Sequence, residues 1–89
     1  MKPAALPPVE HVTARLIEIW SDLLLSSAVG RDTDFQDHGG TSLTAVRIRS
    51  RIRAEFGRDV DLVDLLDEAT PARVAALISV APLWRGGAD

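Results

Sequence analysis

Cysteine is absent from this sequence of 89 residues. Its absence excludes disulfide bonds, thiolate metal sites and a cysteine nucleophile, and it is compatible with the reducing cytoplasm. Long apolar runs are also missing, because none approaches the ~20 residues that a membrane-spanning helix needs. The first ten residues, MKPAALPPVE, lack the apolar centre of a secretory signal peptide. We therefore expect a cytoplasmic protein without a membrane partner, whose fold depends on helix packing rather than on cross-links.

Apolar residues are plentiful, and the charges are unevenly distributed. The sequence is 46% hydrophobic, which is too much for an intrinsically disordered chain, and its length allows one domain. The net charge is only −3, yet four of the ten basic residues, Arg47, Arg49, Arg51 and Arg53, lie within seven positions. The 13 acidic residues stand against the six other basic residues, which leaves the rest of the chain with a net charge of −7. A basic segment on an acidic protein can influence which partners it binds.

Apolar residues spaced three and four apart, the period of one helix face, predict the two longest helices. The first runs from Val9 to about Leu25, and the second runs from about Ser42 to Phe56. Gly57 follows the second helix and is its predicted left-handed C-cap. The predicted core-facing positions of the second helix are Ala45, Ile48, Ile52 and Phe56.

Two further helices are predicted after Gly57. Residues 60–69 form a short helix with Asp61 as its N-cap. Thr70 is the predicted N-cap of the last helix, and Pro71 occupies its first position, where an N–H is not needed. No segment of useful length shows the period of a strand. The sequence thus predicts an all-α protein, a small bundle of three main helices plus one short helix.

A long loop, residues 26–40, connects the first two predicted helices. Loops of this length inside a compact domain are uncommon and are often functional. Val29 and Phe35 are its larger apolar residues, and we expect both to hold it against the core. The expected domain organisation is a flexible leader over residues 1–8, the helical bundle over 9–81 and a flexible tail over 82–89.

The segment DHGGTSLTAV, residues 37–46, places one serine at the start of the second predicted helix. Thr41 or Ser42 can serve as the N-cap, which accepts hydrogen bonds from the first N–H groups of a helix. The same position is favourable for a phosphate, because unpaired N–H groups and the positive end of the helix dipole attract an anion. Gly39 and Gly40 add backbone freedom and leave room for an enzyme to approach Ser42. The residues alone leave both roles of Ser42 open.

The runs DTDFQDHGGTSLTAVRIRSRI and LVDLLDEATPARVAAL resemble the carrier-protein family, most closely the peptidyl carrier (thiolation) proteins of nonribosomal peptide synthesis. The resemblance extends over residues 9–80. Basic residues in the second helix, such as Arg47 and Arg51, are more like peptidyl carriers than fatty-acid carriers. The sequence departs from the family at Gln36, where a second aromatic residue is common, and at His38, where an apolar residue is common. The family signature, an aspartate and a phenylalanine before Gly-Gly-x-Ser-Leu, is matched by Asp32, Phe35, Gly39, Gly40, Ser42 and Leu43.

The resemblance implies that Ser42 carries a 4′-phosphopantetheine arm, transferred from coenzyme A by a phosphopantetheinyl transferase. The thiol of that arm would hold an aminoacyl, peptidyl or acyl group as a thioester, and the protein would be a noncatalytic carrier, which we expect to be a monomer. An adenylating enzyme or domain would load the group, and condensation, tailoring or thioesterase enzymes of antibiotic biosynthesis would receive it. The loop residues expected to support the site are Phe35, Gly39, Gly40 and Thr41. The residues expected to contact partners are Leu43, Val46, Arg47, Leu62 and Leu66.

Other functions fit the residues less well. A serine hydrolase of the nucleophile-elbow type needs Gly-x-Ser-x-Gly, but Thr44 stands where the closing glycine belongs. The aspartates of the loop do not match the calcium-binding pattern of an EF-hand that starts at Asp32, because Asp37 and Leu43 occupy the positions of its glycine and glutamate. We therefore expect no metal site. The four arginines spread around the helix rather than facing one DNA groove, so we expect no nucleic-acid partner. Two alternatives stay open, namely an acyl carrier of polyketide synthesis and a noncatalytic bundle that binds DNA or protein and uses Ser42 only as a cap.

Overall fold

The computed structural model describes residues 6–86, and within them it contains four α-helices. These are α1 (Val9–Leu24), α2 (Ser42–Phe56), α3 (Leu62–Asp67) and α4 (Pro71–Val80). A short 3-10 helix, Phe35–His38, lies in the connection between α1 and α2. The described residues contain an isolated β-bridge but no β-strand. The prediction of an all-α bundle with a long first connection and a short third helix is therefore confirmed, while residues 1–5 and 87–89 of the predicted leader and tail lie outside the described residues.

The core lies where α1 contacts both α4 and α2, and α3 packs against α2. The apolar stripe predicted for α2 is buried, because Ala45, Ile48 and Ile52 are 0% exposed and Phe56 is 8% exposed. Burial of each large aliphatic side chain contributes about 1.5–3 kcal/mol, so this stripe holds α2 to the bundle. None of the helices within residues 6–86 has the length and apolar character needed to cross a lipid bilayer.

The ends of the helices largely follow the predicted capping pattern. Thr41 occupies the N-cap of α2 with an extended backbone, and its N–H donates to Thr44 Oγ1 at 3.0 Å. Gly57 ends α2 in the left-handed conformation, with a φ of 66° that glycine adopts without strain. The Thr70 side chain caps α4 by accepting from a backbone N–H of its first turn at 3.3 Å. Asp61 occupies the predicted N-cap position of α3 with an extended backbone, but its side chain makes no capping hydrogen bond.

The segment after α4 does not leave the bundle at once. Residues 82–84 pair with residues 57–59 through two backbone N–H to carbonyl hydrogen bonds, each 2.9 Å long. The indole of Trp84 stacks against the guanidinium of Arg53, whose central carbon lies 5.3 Å from the ring centroid. The sequence instead predicted a flexible tail from Pro82 onward. Proline and the small polar residues after it are local signals, and they hold no information about a partner segment that is distant in sequence.

Replacement of Trp84 by alanine is expected to lower the free energy of unfolding by about 1–2 kcal/mol. The substitution removes a half-buried indole and its cation–π contact with Arg53. Urea titration followed by circular dichroism measures the change. Arg85→Ala alters the exposed next residue and should change the same free energy by less than about 0.5 kcal/mol. Identical unfolding curves for Trp84→Ala and the wild type would contradict a stabilising role for this segment.

Ion pairs join α1 to α2. Arg15 on α1 donates two hydrogen bonds to the Glu55 carboxylate on α2, one of them from Nη2 to Oε2 at 2.8 Å. Arg51 donates to the same carboxylate at 3.3 Å and to Asp22 on α1 at 3.3 Å. The hydrogen bonds from Arg15 are the main cause that lowers the pKa of Glu55; Arg51 adds to the effect, and partial burial opposes it. Carboxylates thus neutralise part of the basic charge that the sequence concentrates on α2.

Stability should depend on the ionisation of Glu55. Because its pKa in the folded chain is lowered below the unfolded value, the carboxylate stabilises the fold above the unfolded pKa, and this contribution is lost as the pH falls through the folded pKa. Glu55→Gln should therefore lower the free energy of unfolding near neutral pH by about 0.5–1 kcal/mol, a range discounted for solvent screening because the Arg15 side chain is 38% exposed. Urea titrations at neutral and acidic pH measure the difference, which should shrink in acid. A difference that stays constant with pH would count against this role of the carboxylate.

Candidate functional site

The connection that leads into α2 is built around the 3-10 helix. Asp34 caps this helix, since its Oδ1 accepts a hydrogen bond from the Gln36 N–H at 2.7 Å. Gly39 ends it in the left-handed conformation, with a φ of 85° that other residues rarely adopt. The Gly40 N–H then donates to the Phe35 carbonyl at 2.8 Å. The chain therefore folds back on Phe35 immediately before α2 begins.

Gly40 is required by close packing. A Cβ atom at this position would lie 2.5 Å from the Phe35 carbonyl oxygen and 2.7 Å from Cδ1 of the Phe35 ring. At Gly39, by contrast, a Cβ atom would meet nothing within 4 Å, and only the backbone conformation favours glycine. The sequence predicted one task for both glycines, namely freedom and room for an approaching enzyme. In the fold the tasks differ, because Gly39 turns the chain and Gly40 lets it contact Phe35.

Phe35 holds this connection to the core. Its ring is 0% exposed and contacts Trp20 of α1 edge-on, with ring centroids 6.0 Å apart and an interplanar angle of 75°. The Phe35 N–H donates to the carbonyl of Ala69, just before α4, at 3.2 Å. Val29, earlier in the loop, is half-buried against the same core. The prediction that Val29 and Phe35 hold the loop against the core is confirmed.

Ser42 is the first residue of α2, and it is exposed. Its hydroxyl makes no hydrogen bond with another protein group among residues 6–86. The sequence left open whether Thr41 or Ser42 is the N-cap of α2, and in the structure the N-cap is Thr41. The Ser42 hydroxyl is therefore not used by the fold and is open to chemistry.

The start of α2 offers backbone donors to an anion. The first N–H groups of a helix lack an intrahelical acceptor, and those of Ser42 and Leu43 have no other acceptor in the described part of the chain. They lie at the positive end of the helix dipole, the arrangement that binds phosphate groups at helix N-termini. A phosphodiester on the Ser42 oxygen therefore fits the donors around it.

The residues predicted to contact partners differ in their exposure. Leu43 is 55% exposed, and Arg47 is exposed without an ion pair among residues 6–86. Val46 is half-buried. Leu62 and Leu66 on α3 are half-buried too, and they pack against the core. Leu43 and Arg47 are thus the members of this set that present most surface to a partner.

One exposed apolar residue of α3 was not among the residues predicted to contact partners. Val63 on α3 is 66% exposed, whereas Leu65 on the same helix is 0% exposed. A helix of six residues is too short for the apolar period to separate an inner from an outer face. The exposure of Val63 could therefore not be recognised from the sequence.

The clustered arginines of α2 do not form one basic surface. Arg51 is held by carboxylates of α1 and α2, and Arg53 Nη2 lies 2.9 Å from a carboxylate oxygen of Asp59. Arg49 is half-buried. Arg47 is the one of the four that is both exposed and without an ion pair in the described range. This arrangement lacks the continuous basic stripe of a DNA-binding helix.

Other features of the structure supply no further chemistry at this site. His38 is exposed, and its Nδ1 lies 3.3 Å from the Asp34 carbonyl oxygen. Residues 6–86 contain no group of three His, Asp or Glu side chains arranged for a metal ion. Two surface grooves of about 230 and 340 Å³ are lined by residues outside α2. Neither groove provides a substrate pocket beside Ser42.

Comparison with known proteins gives a family match over most of the fold. The family model for the phosphopantetheine attachment site matches residues 14–78, which contain all of α2 and α3. Over 72 residues the chain is 45% identical to a probable non-canonical nonribosomal peptide synthetase, CymA, from Salinispora arenicola (strain CNS-205). That match covers 81% of this chain and 1% of the synthetase. The chain spans 1 to 3% of the length of the first four curated relatives that it matches.

Two solved structures share the fold. One is a solution structure of a non-covalent extended docking domain complex of the Pax NRPS, PaxA T1-CDD/PaxB NDD, with a TM-score of 0.75 and 28% identity. The match covers 97% of this chain and 81% of that one. The other is BlmI, a type-II acyl-carrier-protein from Streptomyces verticillus involved in bleomycin biosynthesis, with a TM-score of 0.71 and 25% identity. Here the match covers 76% of this chain and 82% of BlmI.

Proposed function

Because the chain belongs to the phosphopantetheine attachment-site family, we propose that Ser42 is the residue that carries its covalent 4′-phosphopantetheine. The observation that carries the proposal is the exposed hydroxyl of Ser42, which no other protein group among residues 6–86 engages, at the first residue of α2. Phe35, Gly39 and Gly40 support the site by setting the path of the chain into α2. Thr41 occupies the N-cap position and so leaves Ser42 free.

The loading reaction is a phosphoryl-group transfer to the Ser42 hydroxyl. The Ser42 oxygen forms a bond to the pantetheine-bearing phosphorus of coenzyme A, the phosphoanhydride bond breaks, and adenosine 3′,5′-bisphosphate leaves with the electron pair. The hydroxyl proton passes to a base of the transferase. Backbone N–H groups at the start of α2 stabilise the negative charge of the phosphodiester. Once attached, the group supplies the thiol that this cysteine-free chain lacks, and that thiol holds the carried group as a thioester.

The carried group that we propose is an aminoacyl or peptidyl group, in keeping with the similarity to a nonribosomal peptide synthetase. An acyl group is the second candidate, favoured by the likeness to the acyl-carrier-protein BlmI. The chain contributes tethering rather than catalysis, since a tether raises the effective concentration of the group at each enzyme. The proposed partners are a phosphopantetheinyl transferase, an adenylating enzyme or domain, and condensation, tailoring or thioesterase enzymes. The cytoplasmic location and the monomeric state stay predictions from the sequence.

The proposed partner surface lies on α2 and α3, which contact each other. Leu43 and Arg47 supply its exposed apolar and positively charged groups. Val46, Leu62 and Leu66 present smaller areas, because they are half-buried. Substitution of Leu43 or Arg47 should therefore weaken partner binding more than it weakens the fold.

The proposed function is tested by incubating the chain with coenzyme A, Mg²⁺ and a broad-specificity phosphopantetheinyl transferase. Intact mass spectrometry should show the gain of one phosphopantetheine group per chain. Fragmentation of the loaded protein should locate the added mass on Ser42 rather than on Thr41 or Thr44. Absence of a mass gain, or its location on another residue, would overturn the proposal.

The rival function, a DNA-binding bundle, is tested by titrating labelled duplex DNA at low and high salt. A DNA-binding protein loses affinity steeply as salt rises, because counterions compete with its phosphate contacts. We expect no such binding, since Arg51 and Arg53 are held in ion pairs and the net charge is −3. Tight, salt-sensitive DNA binding together with no mass gain would favour the rival.

A further inference from the structure

The carbonyl group of Ala69 joins three parts of the fold. It accepts a hydrogen bond from the indole Nε1 of Trp20 on α1 at 3.2 Å, and another from the backbone N–H of Phe35 at 3.2 Å. Ala69 lies between α3 and α4 and is 3% exposed, while Trp20 and Phe35 are both 0% exposed. A carbonyl oxygen has two lone pairs, so both donors can be bound at once. The position of the loop at Phe35 therefore depends on α1 and on the turn before α4.

The path from Phe35 to Ser42 is short and constrained. The Gly40 N–H donates to the Phe35 carbonyl at 2.8 Å, and the two residues are so close that a Cβ on Gly40 would lie 2.5 Å from that oxygen. Thr41 follows, and its N–H donates to Thr44 of α2 at 3.0 Å. A displacement of Phe35 would thus be passed to the residues that immediately precede Ser42.

We propose that Trp20 is a positioning residue for the loading of Ser42. Its ring and its N–H hold Phe35 and Ala69 in place, and Phe35 in turn sets the path of the chain into α2. The inference rests on the proposed function of Ser42. Trp20 is fully buried and cannot contact a transferase, so it acts on the placement of the serine hydroxyl and not on the docking surface.

Two features separate this role from ordinary core packing. The indole N–H is a buried polar group, and its acceptor is the same carbonyl that holds the loop. The ring meets Phe35 edge-on at 75°, and such a contact limits the tilt of the Phe35 ring as well as its distance. Phenylalanine in place of Trp20 would keep an aromatic ring but lose the N–H. This substitution should therefore shift the loop while it preserves most of the core.

The test compares Trp20→Phe with Ile78→Val, a substitution at a fully buried position of α4. Urea titration first establishes conditions in which both variants are fully folded, and the rate of phosphopantetheine transfer is then measured over a range of carrier concentrations. Trp20→Phe should lower kcat by about tenfold at an unchanged KM, because a displaced hydroxyl is less often in line with the phosphorus that it attacks. Ile78→Val should leave both constants unchanged.

A second variant keeps the test decisive if Trp20→Phe does not fold. Phe35→Leu removes the edge-on contact with Trp20 but keeps the backbone N–H and most of the apolar volume, and it should also lower kcat. Loss of folded protein alone would raise the apparent KM at constant kcat, because it reduces only the competent fraction. If Trp20→Phe and Phe35→Leu have the same kcat as the wild type and Ile78→Val, the inference is overturned. A wild-type chain that is not loaded at Ser42 would overturn the proposed function instead, so the two failures are distinguishable.

Discussion

Ser42→Ala should accept no phosphopantetheine under conditions in which the wild-type chain is fully loaded. The substitution removes the only atom that could form the phosphodiester at the first residue of α2. The nearby Thr44 hydroxyl cannot replace it, because Thr44 lies further along the helix and its Oγ1 accepts a hydrogen bond from the Thr41 N–H at 3.0 Å. Intact mass spectrometry after incubation with coenzyme A, Mg²⁺ and the transferase measures the outcome.

The fold should tolerate this substitution. The Ser42 hydroxyl makes no hydrogen bond with another group of residues 6–86, and alanine favours helix, so the free energy of unfolding should change by less than about 0.5 kcal/mol. Ser50→Ala, at an exposed position of the same helix, is the matched control and should load completely. Loading of Ser42→Ala to the wild-type extent would refute the assignment. If neither variant is loaded, the loss of loading would be due to a change in α2 as a whole and not to the missing Ser42 oxygen.

Gly40→Ala should have the second largest effect, a fall of about 3 kcal/mol in the free energy of unfolding, at the upper end for overpacking. The new Cβ would lie 2.5 Å from the Phe35 carbonyl oxygen and 2.7 Å from Cδ1 of its ring. The carbonyl cannot easily rotate away, because it accepts the Gly40 N–H at 2.8 Å. Relief requires movement of Phe35 or of the residues before Ser42, so the rate of loading should fall as well. Urea titration and the loading assay measure the two effects.

The other glycines of the loop provide graded controls for Gly40→Ala. A Cβ at Gly30 would meet nothing within 4 Å, so Gly30→Ala should change the free energy of unfolding by less than about 0.5 kcal/mol. Gly39→Ala should cost about 1–2 kcal/mol, because an alanine at a φ of 85° is strained even in open space. A Gly40→Ala variant as stable as Gly30→Ala would contradict the close contact with Phe35.

The helix that begins at Ser42 could be predicted from the sequence almost completely. Its bounds, Ser42–Phe56, its buried face and its Gly57 cap all follow from residues that lie within a turn or two of one another. Apolar periodicity and capping preferences act over such distances, so a local pattern is sufficient to indicate them. Ser42 could be placed at the start of this helix for the same reason, whereas its role as the attachment residue was implied by the resemblance to carrier proteins.

The support around that serine could not be predicted in the same way. The Gly-Gly pair was visible, but the need for Gly40 arises from the approach of the Phe35 backbone and ring. The pairing of residues 82–84 with residues 57–59 was not predicted, because the local sequence there indicates only a flexible tail. Both features depend on which segments meet after the helices have packed.

Periodicity and capping specify the helices and place Ser42 at the head of α2, because helical hydrogen bonds and caps connect residues a few positions apart. The contacts that hold that helix and the loop before it in the bundle depend on the tertiary structure. Trp20 Nε1 reaches the Ala69 carbonyl across 49 residues of sequence, and Arg15 reaches Glu55 across 40. The free energy of such contacts depends on the distance and angle at which packed elements approach, and no local pattern of residues encodes that geometry.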